Sequence, residues 1–139
     1  MNSAVSDPML VVDASVLFEV VADTPEAAAI GVRLLEDPDL HAPHLVDAEV
    51  LSVVQRHHRL GRLDTTAATQ AVADLRAWPG RRWAHQDLIG RAWALRDNVT
   101  GYDALYVALA EALDATLFTL DQRLAHAPGI RCSVEVLPA

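Results

Sequence analysis

Short unbroken apolar runs alternate along the chain with stretches of helical spacing. Met9-Leu10-Val11-Val12 is such a run, ended by Asp13, and it has the pattern of a strand buried on both faces. Ala14 to Ala22 turns helical in composition. Thr24-Pro25-Glu26 places a cap residue, a proline and an acid where a helix should open, and that helix is expected to run to about Glu36 before Pro38 stops it. Leu40 to Ala42 reads as a short strand. Pro43 precedes a longer helix from about His44 to Leu60, closed by Gly61. Asp64-Thr65-Thr66 caps the next helix, with Ala68, Ala71, Val72 and Leu75 on its apolar side, and Pro79-Gly80 breaks it. Arg82 to His85 is a candidate strand and Leu88 to Arg96 a candidate helix. Thr100 starts a strongly amphipathic helix through Leu113. Ala115 to Leu120 reads as a buried strand ending in Asp121, a short helix follows to about Ala127, and Cys132 to Leu137 supplies a last strand.

Strands alternating with helices predict an α/β fold, a sandwich around a central, mostly parallel sheet flanked by helices. No repeat or linker-like shift in composition interrupts it, so residues 1–139 are expected to form one domain, with residues 1–8 a loose tail. A hydrophobic content of 52% is enough to fill a core at this length. The early apolar stretch is broken by Asp13 and Glu19 and is too short for a bilayer, so a cytoplasmic protein without membrane attachment is expected.

Composition narrows the chemistry. Cys132 is the only cysteine, which excludes an internal disulfide and any multi-cysteine metal site. The net charge of −8 argues against a sequence-independent grip on nucleic acid or on an anionic membrane. All eleven bases are arginine, so mechanisms that need a lysine, among them those of P-loop proteins, class A β-lactamases and protein kinases, are ruled out.

Four acids stand where apolar residues would be expected. Asp13 and Asp121 end two buried strands, and in a parallel sheet both fall at the carboxyl edge, where open α/β sheets bind ligands. Glu49 has Leu45, Val46 and Val53 as its helical neighbours, and Asp103 shares a face with Val107 and Ala110. Each has a plain structural alternative: helix caps for Asp13 and Asp121, a capping box from Thr100 for Asp103, snorkelling or a pair with Arg56 for Glu49. Together, clustered oxygens without cysteine or well-spaced histidine suit a hard divalent cation.

Val11-Val12-Asp13-Ala14-Ser15-Val16-Leu17, Asp47-Ala48-Glu49-Val50-Leu51, Thr100-Gly101-Tyr102-Asp103-Ala104-Leu105-Tyr106-Val107-Ala108-Leu109-Ala110 and Thr119-Leu120-Asp121-Gln122-Arg123-Leu124 resemble, in this order, the four acidic blocks of PIN-domain ribonucleases, above all the VapC toxins of toxin–antitoxin pairs. The resemblance spans about Leu10 to Leu137. It implies a PIN-like three-layer sandwich in which Asp13, Glu49, Asp103 and Asp121 hold one or two Mg²⁺ or Mn²⁺ ions and hydrolyse RNA. Ser15 and Thr119 match the small hydroxyl residues that accompany the first and last acids, expected one layer out from the metal or near the scissile phosphate. It further implies a homodimer and a small cognate antitoxin that occludes the site.

Two other readings remain open on sequence: a PIN-like module that binds without catalysis, and a phosphoaspartyl receiver or phosphatase. The second lacks its usual lysine, and has Ser15 where phosphatases carry a second acid. Arg56, Arg59, Arg62, Arg81, Arg82, Arg91 and Arg96 are candidates to line an RNA approach, each with a solvated or acid-paired alternative. Trp78, Trp83 and Trp93 are read as packing or dimer-contact residues before base-stacking ones.

Overall fold

The computed structural model describes residues 8–137, so all of the expected tail except Pro8 lies outside the described residues. The apolar run at Met9–Val12 forms β1, and the one at Thr116–Thr119 forms β4. Around them the chain is ordered as α1 Ala14–Val21, α2 Ala27–Glu36, β2 Asp39–Pro43, α3 Leu45–Arg59, α4 Thr65–Ala77, β3 Arg81–Trp83, α5 Ile89–Ala94, α6 Gly101–Leu113, α7 Gln122–Ala125 and β5 Val134–Val136.

All five strands are parallel, in the order β3-β2-β1-β4-β5. The chain walks outward from β1 through β2 to β3, then returns to place β4 on the other side of β1. Strand order therefore reverses between β1 and β4, where the crossovers leave in opposite directions and open a crevice at the carboxyl ends. The register Leu10↔Thr116 to Val12↔Phe118 sets the ends of the two strands side by side. Leu10, Val11, Val12, Leu117 and Phe118 are sealed from solvent, as a sheet covered on both faces requires. Helices flank that sheet: α1 packs against α2, α3 and α4, while α6 packs against α5, β1, β2 and β4.

Local chemistry departs from the sequence reading in a few places. The helix expected from Thr24 starts at Ala27, because Thr24 is used in a turn: its carbonyl accepts from the Ala27 amide at 3.0 Å, and Glu26 caps without a side-chain bond. The helix expected over Leu88–Arg96 divides into a 3₁₀ turn, Gln86–Leu88, and the short α5. The strands at Arg82 and Cys132 are Arg81–Trp83 and Val134–Val136. The stretch from Thr100 is helical as expected but has no single apolar stripe, for Tyr106 to Ala110 are buried consecutively and so face every side. Core enclosure, not amphipathicity, holds α6. Among the described residues, no helix is long and apolar enough to cross a membrane.

Two glycines test this packing. A Cβ on Gly80 would fall 2.1 Å from the Trp78 ring, which is buried and covered by the Arg82 guanidinium. Gly80→Ala should therefore lose about 1–3 kcal/mol in urea unfolding. Gly90, in α5 with open space around it, should gain up to about 1 kcal/mol as alanine. Equal midpoints for the two variants would contradict the packing described.

Candidate active site

The crevice at the strand-order reversal is a cleft of about 490 Å³ lined by Asp13, Glu49, Asp103 and Asp121 together with Ser15, Arg56 and Tyr106. All four acids singled out in the sequence meet there. They arrive from four elements: Asp13 from the end of β1, Glu49 from α3, Asp103 from the first turn of α6, and Asp121 from the turn after β4. Among the described residues, no three acidic, histidine or cysteine side chains form a ready-made ligand cluster, so the acids share a cleft without converging on one point.

Asp13 is the most enclosed, at 6% exposure. One carboxylate oxygen accepts from the Ser15 hydroxyl at 2.6 Å and from the Val16 amide at 3.2 Å; the other accepts from the Thr119 hydroxyl at 2.5 Å. Each hydroxyl also accepts a backbone N–H from the far side, Leu120 to Ser15 at 3.1 Å and Asp121 to Thr119 at 3.0 Å. A hydroxyl that accepts from an amide turns its own proton outward, and here both protons turn to Asp13. Burial nevertheless dominates, and the pKa of Asp13 is pushed up to about 6 against these hydrogen bonds, with the neighbouring charge of Asp103 adding to the rise.

Glu49 is half-buried and accepts from the Tyr106 hydroxyl at 2.6 Å. Burial raises its pKa, the Tyr106 bond opposes the rise, and Asp103 adds to it. The phenol is itself 1% exposed, and burial first, then the Glu49 bond, raises its pKa. Asp103 accepts from the Thr100 hydroxyl at 3.1 Å, so the capping box weighed as its structural alternative is not formed and Thr100 makes no side-chain cap bond. Asp121 is held through both oxygens by the Arg123 guanidinium at 3.1 and 3.0 Å, which lowers its pKa.

Asp13 and Asp121 each cap the helix that follows while also lining the cleft. Glu49 does not pair with Arg56, which lines the cleft and makes no salt bridge among the described residues. Four of the other candidate arginines have partners within the chain. Arg82 binds Asp47 and the carbonyls of Leu75, Trp78 and Gly80, and Arg91 clamps Glu111. Arg81 and Arg96 lie over Trp83 and Trp93. Trp78 is a core residue, whereas Trp93 is 67% exposed. Tyr106 was legible only as part of an apolar helix; the available signal was that a buried phenol needs a hydrogen-bond partner.

The family description "PIN domain" matches residues 10–130. The chain is 41% identical over 128 residues to ribonuclease VapC1 of Mycobacterium tuberculosis, covering 91% of this chain and 96% of that protein. It is 36% identical over 130 residues to ribonuclease VapC9 of the same organism, covering 94% and 99%. VapBC2 of Rickettsia felis, solved with a DNA fragment from its promoter, includes a chain of the same fold, with a TM-score of 0.67, 15% identity and coverage of 94% of this chain and 99% of that one.

The enclosure of Asp13 gives stability a pH dependence of definite sign. Its folded pKa lies above its unfolded value, so the folded state holds the proton more tightly, and the associated stability is present at low pH and lost as pH rises through about 6. In EDTA, wild-type protein should lose about 2 kcal/mol more stability between pH 4 and pH 7.5 than Asp13→Asn loses. Parallel pH profiles for the two proteins, measured by chemical unfolding, would refute the buried ionisable Asp13.

Proposed function

Because the chain belongs to the PIN-domain family, we propose that it is a Mg²⁺- or Mn²⁺-dependent endoribonuclease, the toxin of a toxin–antitoxin pair, with Asp13, Glu49, Asp103 and Asp121 as its metal-binding acids. The observation that carries the reading is Asp13, a carboxylate enclosed at the strand-order reversal, bonded by neutral donors and without an ion-pair partner among the described residues. Capping α1 and joining the two junctions need an acceptor there but not a charge held out of water, and a bound cation would compensate that charge.

The donor set fits a hard cation, being all oxygen, with Asp13 and Glu49 raised in pKa by burial and by the charge of Asp103. Asp13 and Asp103 would be direct ligands, and Glu49 and Asp121 would act through water. A bound divalent ion relieves charge on the phosphodiester and acidifies a water for attack at phosphorus. Ser15, Thr119 and the Val16 amide fix the Asp13 carboxylate, so its orientation costs nothing when substrate arrives. Glu49, with raised proton affinity, suits the acceptance of the attacking water's proton. Arg56 offers a positive charge to the RNA phosphates from inside an acidic cleft.

In this reading the antitoxin would occupy a surface beside the cleft. A second groove, about 530 Å³, runs between α3 and α4 past Leu51, Val72 and Leu75, and Ala48 lines both this groove and the cleft. An apolar helix laid there would lead a following segment to the acids.

Two experiments test these statements. Purified protein should cleave RNA with added Mg²⁺ or Mn²⁺ and stop in EDTA; undiminished cleavage in chelator by a clean preparation removes the metal reading. Leu51→Arg should weaken binding of the adjacent reading frame's product at least about tenfold, the effect of an unpaired charge in an apolar contact, and leave cleavage unchanged. If wild-type protein neither binds that product nor is inhibited by it, the toxin assignment fails while the nuclease stands.

A further inference from the structure

One hydrogen bond in the cleft is not a by-product of packing. Helices α3 and α6 do not pack extensively against each other; the cleft separates them. Across that gap the Tyr106 hydroxyl, on α6, reaches the Glu49 carboxylate, on α3, at 2.6 Å. The phenol tip lies close enough to Asp13 and Asp103 to feel both charges, yet its hydrogen bond goes to Glu49 alone. The ring is fixed, being 1% exposed within the enclosed stretch of α6, whereas Glu49 is a three-torsion side chain on a half-exposed helix face. A rigid donor meeting a flexible acceptor sets the acceptor's position.

We infer that Tyr106 is a positioning residue: its hydroxyl holds one oxygen of Glu49 and turns the carboxylate into the cleft toward Asp13 and Asp103, leaving the other oxygen for the metal's water. The inference rests on the metal-dependent ribonuclease reading and deepens it. Without the hydroxyl, Glu49 is free to swing along α3 to solvent, and the carboxylate must be ordered anew each time metal and substrate bind. Tyr106 itself touches neither.

Tyr106→Phe keeps the ring and removes the hydroxyl. The variant should fold as wild type in EDTA, bind Mn²⁺ about tenfold more weakly by titration calorimetry, and lose about tenfold in kcat with the RNA KM unchanged, the loss of one hydrogen bond to a charged group. In a Glu49→Ala background the same substitution should change Mn²⁺ affinity less than about twofold, because the partner it positions is already gone. Wild-type Mn²⁺ affinity and kcat in Tyr106→Phe would overturn the inference and leave the nuclease reading intact, and so would equal losses in both backgrounds. If wild-type protein neither binds Mn²⁺ nor cuts RNA, the nuclease reading and this inference fall together. Should Tyr106→Phe melt below wild type in EDTA, the cycle is read in melting temperature, where a drop that persists with Glu49→Ala marks a packing residue and overturns the inference.

Discussion

A carboxylate buried where two central strands end is the constraint from which the rest of the arrangement follows. Asp13 needs donors, because an unsolvated charge without them is prohibitively costly. The chain supplies them from both sides of the reversal: Ser15 and Val16 from the first turn of α1, Thr119 from the end of β4. The two hydroxyls pass the connection onward to the amides of Leu120 and Asp121. The side chain that lines the cleft is thus also what ties the β1–α1 junction to the β4–α7 junction, and the sheet register at Val12↔Phe118 brings those junctions together.

The helices divide the remaining work. Enclosed on nearly every side, α6 presents Asp103 and Tyr106 from a fixed frame. The flanks are pinned by arginines that the cleft does not use: Arg82 gathers the end of α4 and Asp47 of α3, and Arg91 joins α5 to Glu111 of α6 and to the Gly129 carbonyl. Multidentate guanidinium bonds of this kind fix direction as well as distance. Arg56 has no such bond among the described residues and lines the cleft.

Much of this was legible in the sequence where the signal was local. Apolar runs gave β1 and β4 because strands covered on both faces cannot afford polar positions, and Asp64 and Gly61 marked helix ends because caps and left-handed turns depend on residue type. Asp13 and Asp121 were visible as the ends of those runs, and Glu49 and Asp103 as acids on apolar helix faces. Legibility stopped where partners are remote in sequence. The cap at Thr24 was misplaced because a threonine can bond within a turn as readily as at a helix end. Arg82 and Arg91 looked like candidates for RNA because nothing nearby shows that Asp47 and Glu111 will meet them. Tyr106 drew no reading of its own because its partner lies 57 positions away.

The span between Asp13 and Thr119 is 106 residues. During synthesis at about 5–20 residues per second, Asp13 leaves the ribosome many seconds before the strand that completes its hydrogen bonds exists. Through that interval it is an ordinary solvated carboxylate, and the cleft has no floor on the β4 side. A product released early, or stalled before Thr119, therefore carries at most three of the four acids, without the geometry that brings them together. The cleft closes only when β4 has paired with β1.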